Sequence, residues 1–316
     1  MSDENTDGLP IKSESPKVLD QLGPYLKHDP VKIGCYLSQF AYERYHRIVG
    51  NPVAPSGMLH EQTPPRMMYI AEAVSTGLRL NATWGLSFPA MSLVRDRYEQ
   101  AARFSWLTRM NDPWQWKQYA ATYYTKWRKL YGDMNPAQRA EFDKMTPVPP
   151  GWMTEPATKE DRKAFERYQS MSLLDMVKQR DALPPVGTLA LDREPLADLY
   201  SSVYVHYSSV THYDFYAVRL LALHRNPAGE HVLAVDPFWP AMLVLNNALF
   251  DIIQCREATA PKCSTEDEAA FSEFHSIWDD TVHRQGLSKE EFEKALREGK
   301  PQQPSLGNGG GRMLDV

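Results

Sequence analysis

Between about residue 30 and residue 299 the sequence repeats one pattern: a capping or proline start signal, then apolar residues in steps of three and four. Val31 to Val49 carries Ile33, Leu37, Phe40, Ala41 and Ile48 at this spacing. After a Pro-rich loop over residues 50–65, Thr63 and Pro64 open a second helix with Met67, Ile70, Val74 and Leu78 on one face. Ser87 and Pro89 open a third, running to about Met110. Asp112-Pro113 starts an aromatic-rich helix through Trp114, Trp116, Tyr119, Tyr123, Trp127 and Leu130. Asn135-Pro136 opens a short helix, and the run from Thr158 to Asp161 caps a charged one reaching about Arg180. Glu194-Pro195 starts a helix that ends near His224, and Pro237 to Gln254 forms another. Thr265 to Glu268 and Ser288 to Glu291 read as capping boxes of two terminal helices. The one strand signal is His231 to Val235, after the turn Asn226-Pro-Ala-Gly229. Helices without alternating strands predict an all-α, multi-helix bundle.

Such a bundle suits a chain of 316 residues, which is long enough to bury a large core. The expected organisation is a polar tail over 1–20, a helical bundle over 21–260, C-terminal helices over 261–299 packing on or beside it, and a second tail over 300–316. No solenoid-period repeat occurs. With 42% hydrophobic and 24% charged residues the composition is that of an ordinary globular protein. A net charge of −5 argues against broad binding of nucleic acid, though not against a local basic patch. Cys35, Cys255 and Cys263 are scattered and form no CxxC pair, which fits a reducing cytosol and offers no thiolate zinc site. The acidic, polar N-terminus lacks the pattern of a secretory signal. The most apolar run, Phe238 to Ile253, is interrupted by Asn246, Asn247 and Asp251, so no membrane association is expected.

The candidate chemistry centres on His206. Leu196, Leu199, Val203, Val210, Ala217 and Leu221 form one apolar stripe, and His206 falls inside it with Ser202 one turn before. An imidazole on a core-facing stripe needs a buried partner or a function. On the third helix, Arg95 and Glu99 are four residues apart and fall between an apolar stripe (Leu93, Val94, Ala101, Phe104) and a wet face of Asp96, Gln100 and Arg103. Their bland reading is a partly exposed ion pair; the sharper one joins Arg95, Glu99, Ser202 and His206 in one interhelical cluster. His275, Asp279 and His283 share a helix side, but Phe271, Phe274, Ile277 and Trp278 are needed for packing and no second E-x-x-H helix exists, so no metal and no cofactor is expected. The aromatic ladder from Trp114 to Trp127 is interleaved with Lys117, Lys126, Arg128 and Lys129, a pattern that fits core packing with a basic outer face better than stacking on a nucleic-acid strand. No phosphate-binding glycine motif, nucleophile elbow or HExxH is present. Cys35 reads as a small packed residue.

The segment Arg95-x-x-x-Glu99, followed by small and aromatic residues, and the segment Ser202-x-x-x-His206, followed by Tyr207-Ser208-Ser209, resemble the bacterial domain of unknown function 5677 family in order and separation. The resemblance covers roughly residues 30–255 and implies an all-helical fold with no established reaction. Helical ribonucleases of the HEPN type place an Arg a few residues before a His on one helix. Here Ser202 holds that position, so the arginine would come from another helix.

Two functions follow as expectations. In the first the protein is an interaction or accessory protein, with a protein partner or a second copy of itself, and the cluster is structural. In the second it is an enzyme acting on RNA or nucleotides, with His206 as acid–base and Arg95 as anion binder.

Overall fold

A computed structural model describes residues 29–50, 59–84, 86–112, 115–116, 119, 130–145, 171–184, 195–205, 207–208, 224–225, 231–232 and 238–284. They form the expected all-α bundle. Helix α1 spans Pro30–Val49, α2 Leu59–Thr83, α3 Ser87–Met110, α4 Pro136–Met145 and α5 Leu173–Ala182. Helix α6, Leu196–Leu199, runs into a π-helical turn, Tyr200–Val205. Helix α7 spans Phe238–Thr259 and α8 Thr265–Arg284. The strand signal survives as β1, His224–Arg225, paired antiparallel with β2, His231–Val232. Among the described residues no helix is long and apolar enough to cross a membrane. The predicted tails, most of the aromatic ladder, the 158–170 segment and the Ser288 box lie outside the described residues.

Helix α7 is the axis of the bundle. Every residue from Leu243 to Glu257 is buried, because α1, α2, α3 and α8 surround it. A helix buried on all sides has no wet face, so its polar residues must be satisfied inside. Around it, each neighbour turns one stripe inward. Ile33, Leu37 and Ala41 of α1, Met68, Ala71, Ser75, Leu78 and Ala82 of α2, and Val94, Tyr98, Ala101 and Phe104 of α3 are all buried. Gly34 sets the approach of α1. A Cβ there would stand 2.8 Å from Val244 Cγ2 and 2.9 Å from the Val244 backbone carbon, so only glycine lets α1 and α7 come this close. Helix α8 packs on α7 and α1 through Phe271, Phe274, Ile277 and Trp278, and the Trp278 indole donates to Leu245 O at 2.8 Å.

The helix ends follow local chemistry. Asp29 accepts from Lys32 N at 3.0 Å and Pro30 fills the first turn of α1. At α4 the box is reciprocal: Gln138 N donates to Asn135 Oδ1 and Asn135 N to Gln138 Oε1, both at 2.9 Å. Helix α8 differs from expectation by one residue. Its box is Ser264 with Asp267, not Thr265 with Glu268. Asp267 also binds Arg44 and Arg47 of α1 at 2.8 and 2.6 Å, so the cap doubles as an interhelical clamp.

Candidate functional site

The helix of Arg95 and the turn after α6 are packed neighbours. Arg95 Nε donates to Ser208 Oγ at 3.1 Å and NH2 to Tyr204 OH at 3.4 Å, while the guanidinium lies 5.1 Å from the Tyr204 ring centre. On its own helix Arg95 meets Asp96 at 3.0 Å and Glu99 at 3.7 Å. Glu99 is closer to Arg103, at 2.9 Å. Partial burial works to lower the Arg95 pKa, but Tyr204, Glu99 and Asp96 outweigh it and hold the group above its ordinary range. Beneath the arginine, Tyr98 is fully buried, donates to Leu196 O at 2.6 Å, and packs against Tyr200, Tyr204 and Phe250. Burial raises its pKa far above the usual phenol.

Of the four sequence-derived site residues, Arg95 is thus brought against the turn after α6, while Glu99 pairs with Arg95 and Arg103 of its own helix. The Ser202 hydroxyl turns to its own backbone, at 3.5 Å from Leu199 O. The serine that Arg95 meets is Ser208. His206 lies outside the described residues, between Val205 and Tyr207, whose flanking Tyr204 and Ser208 both touch Arg95.

A larger polar cluster sits at the bundle's centre, and sequence reasoning missed it. Asp251 of α7 has no exposed surface and accepts from Ser38, from Ser75 at 2.6 Å, Asn247 at 2.8 Å, Tyr42 at 3.0 Å and Arg97 at 2.7 Å. Arg97, also fully buried, donates further to Gln254 and Gln100, both at 2.9 Å. Four helices meet in this one carboxylate. Burial pushes the Tyr42 phenol and the adjacent Cys255 thiol well above their ordinary pKa values, so both stay neutral. Further along α7, Glu257 accepts from Arg109 at 2.8 Å and from Arg180 at 3.3 Å, and Arg180 also donates to Ser105 at 2.7 Å. Asp181, next to Arg180, then accepts from Leu196 N and Ala197 N and so fixes the start of α6. Asn247 Oδ1, Gln254 Nε2, Arg97 Nε and Glu257 Oε2 are buried with no hydrogen-bond partner among the described residues. A signal did exist: Asn246, Asn247 and Asp251 interrupt the most apolar run of the chain, and polar residues inside such a run are ones the fold must satisfy.

On α8, Asp279 and His283 pair at 3.2 Å on an exposed face, while His275 lies against Trp278. Among the described residues no group of three or more His, Cys, Asp or Glu side chains is placed to hold a metal ion. Cys35 is partly buried, and burial pushes its thiol up to about 11.

One face of the bundle is apolar and open. On the outer side of α2, Tyr69 is 76% exposed, Leu80 58% and Ile70 53%, and Trp84 just past its end is 80% exposed. Ala73 and Thr76 lie between them, also exposed.

No family model, no curated protein and no solved structure matches this chain.

Proposed function

We propose that this is an interaction or accessory protein, in which the interior polar clusters are structural and the outer face of α2 is the working surface. The observation that carries the reading is that open apolar row from Tyr69 to Trp84. Exposed large apolar groups are ordinary when scattered, but a contiguous row on one helix marks a surface that binds. The clusters support the same division. Arg97 and Asp251, and Glu257 with Arg109 and Arg180, spend their charges on one another inside the bundle. Buried ion pairs of this kind add little net stability but penalise every helix register that would separate them. Three free cysteines, with Cys255 fully buried, fit a reducing compartment, and on this reading the protein works in the cytosol. The resemblance of the Arg95-x-x-x-Glu99 and Ser202-x-x-x-His206 segments to the bacterial helical family, which implies no established reaction, belongs to the same reading.

A second reading has one observation of its own. Arg95, an arginine from another helix, contacts Tyr204 and Ser208, and this contact supports a HEPN-like enzyme acting on RNA or nucleotides, with His206 as acid–base and Arg95 as anion binder. Asp96 and Glu99 beside it weigh against an anion there.

The test is a photo-cross-linking amino acid at position 80, in cells that make the protein. A discrete cross-linked protein product supports the interaction reading. No product, together with RNA or nucleotide turnover that Arg95→Ala abolishes, overturns it in favour of the enzyme.

A further inference from the structure

We propose that the occupant of the α2 face is a second copy of this chain, its α2 antiparallel to the first about a two-fold axis; this rests on the interaction reading and names its partner. The exposed positions of α2 are not random. Apart from Ile70 on their flank, they are Arg66, Tyr69, Ala73, Thr76, Leu80 and Thr83, which follow alternating steps of three and four residues, the a/d spacing of a helix–helix seam. The row is self-complementary when reversed. With the axis between Ala73 and Thr76, Tyr69 meets Leu80 of the second copy, and Ala73 meets Thr76 of the second copy. The large residues therefore pair outside a small-residue centre that lets the backbones approach.

Charge complementarity picks the same register. Glu72 and Arg79 flank the row on its α1 side, while Ile70, Gly77 and Trp84 flank the other. In an antiparallel two-fold pair like flanks face each other, so Glu72 faces Arg79 of the second copy, and the reverse contact repeats it. A parallel pair would instead set each flank against the other copy's opposite flank and leave both charges without a counter-charge. Within its own chain Glu72 pairs with His46 at 2.9 Å, with both side chains partly exposed, and Arg79 donates to Thr76 and to Cys35 O, so each keeps a charged end near the seam. One pair of 25-residue helices makes a modest interface, and the association expected is micromolar.

The experiment is sedimentation of the purified full chain and of two charge reversals, Glu72→Arg and Arg79→Glu. At roughly 100 µM, well above a micromolar dissociation constant, the wild type is expected to sediment as a dimer. Each reversal alone sets like charges across the seam twice and is expected to shift the chain to monomer. Their equimolar mixture makes both cross-pairs complementary again and is expected to restore the dimer. Recovery in the mixture also shows that both variants are folded, and the double variant Glu72→Arg/Arg79→Glu is expected to dimerise by itself. A monomeric wild type, or a dimer indifferent to either reversal, overturns the proposal. So do single variants that, with wild-type circular dichroism, stay monomeric when mixed. A cross-link from position 80 to a different protein, with a monomeric purified chain, overturns the second copy while leaving the interaction reading standing.

Discussion

Replacing Asp251 with Leu removes the acceptor on which four helices converge. Arg97 would keep only Gln254 and Gln100 for a charge with no exposed surface. Ser38 and Ser75 still have each other at 2.9 Å, but Tyr42 and Asn247 lose the carboxylate they share. Breaking a buried ion pair by removing one partner costs about 3–5 kcal/mol, because the other charge stays buried without compensation. The lost hydrogen bonds fall within that figure rather than adding to it, since they end on the same group. Against a total stability of about 5–15 kcal/mol the substitution removes a large fraction, and the urea midpoint is expected to drop clearly. Arg97→Met leaves the mirror problem, a carboxylate with its neutral donors but no cation, and a loss of similar size. The double variant Arg97→Met/Asp251→Leu removes both charges and keeps the volume apolar, so it should be much less harmful than the two losses added. The assay is urea unfolding followed by circular dichroism for the wild type, both single variants and the double. Single losses below about 1 kcal/mol, or losses that simply add in the double, would refute the idea that one buried pair couples α3 to α7.

Gly34→Ala should destabilise by about 1–3 kcal/mol, because the new methyl meets the Val244 backbone, which cannot step aside. Gly77→Ala, where the nearest atom is Leu93 Cδ1 at 3.8 Å, should be neutral or stabilising by up to about 1 kcal/mol, and thermal unfolding of the two variants side by side checks the contrast. Asp267→Asn should keep a side-chain acceptor for Ser264 N but weaken the Arg44 and Arg47 clamp, whereas Asp267→Ala should lose both, leaving only the bond from the residue 267 backbone N to Ser264 Oγ, and fall further by about 1 kcal/mol in the same unfolding assay. Stability should decline as the pH rises from about 9 towards 12, because burial raises Cys35 to about 11 and Tyr45 to about 12, so the unfolded chain releases these protons first; urea midpoints across that range measure it. Over the same range Cys35 should alkylate only near its raised pKa, and Cys255 not until the protein unfolds, as mass-spectrometric labelling would report.

Most helices are legible in the sequence because their starts are local chemistry, but α2 is an exception: it begins at Leu59, so Thr63, Pro64 and Pro65 lie within its first turns and not at the predicted start after a loop over 50–65. Asp29 with Pro30, Asn135 with Gln138, and the periodicity of α3 need no tertiary information. The one-residue error at α8 arises where two polar pairs compete for one cap, and Ser264 with Asp267 prevails because Asp267 also holds α1. Arg97 is illegible for a different reason. A binary pattern reads arginine as wet, and only the arrival of Asp251 from a distant helix makes its burial tolerable. Glu257 and Arg180 are hidden in the same way, each apart in sequence from its partner. At the predicted cluster the spacing foretells that α3 packs on the segment of Ser202, while the serine that Arg95 bonds is Ser208. The π-helical turn at Tyr200–Val205 rotates the residues beyond it relative to a wheel drawn from Leu196, and it is Ser208 that faces Arg95. The exposed face of α2 is only partly legible: helical spacing puts Ile70 on the inner face, yet it is half exposed, while Met68, Ala71 and Ser75 turn inward.

The central claim is that the polar contacts between helices, those of Arg95 with Ser208 and Tyr204 among them, hold the fold and that the α2 face does the binding. Thermal unfolding of Arg95→Ala and Leu80→Glu, read by fluorescence at a protein concentration too low for association, tests it most directly. Arg95→Ala loses the Ser208 and Tyr204 contacts, about 1 kcal/mol, and should melt about 2–4 °C lower. Leu80→Glu touches a side chain that the fold leaves open and should melt with the wild type. The opposite result, a lowered melting temperature for Leu80→Glu and none for Arg95→Ala, would mean that the α2 face is packed within the fold and that Arg95 is free for a ligand, and it would contradict the account.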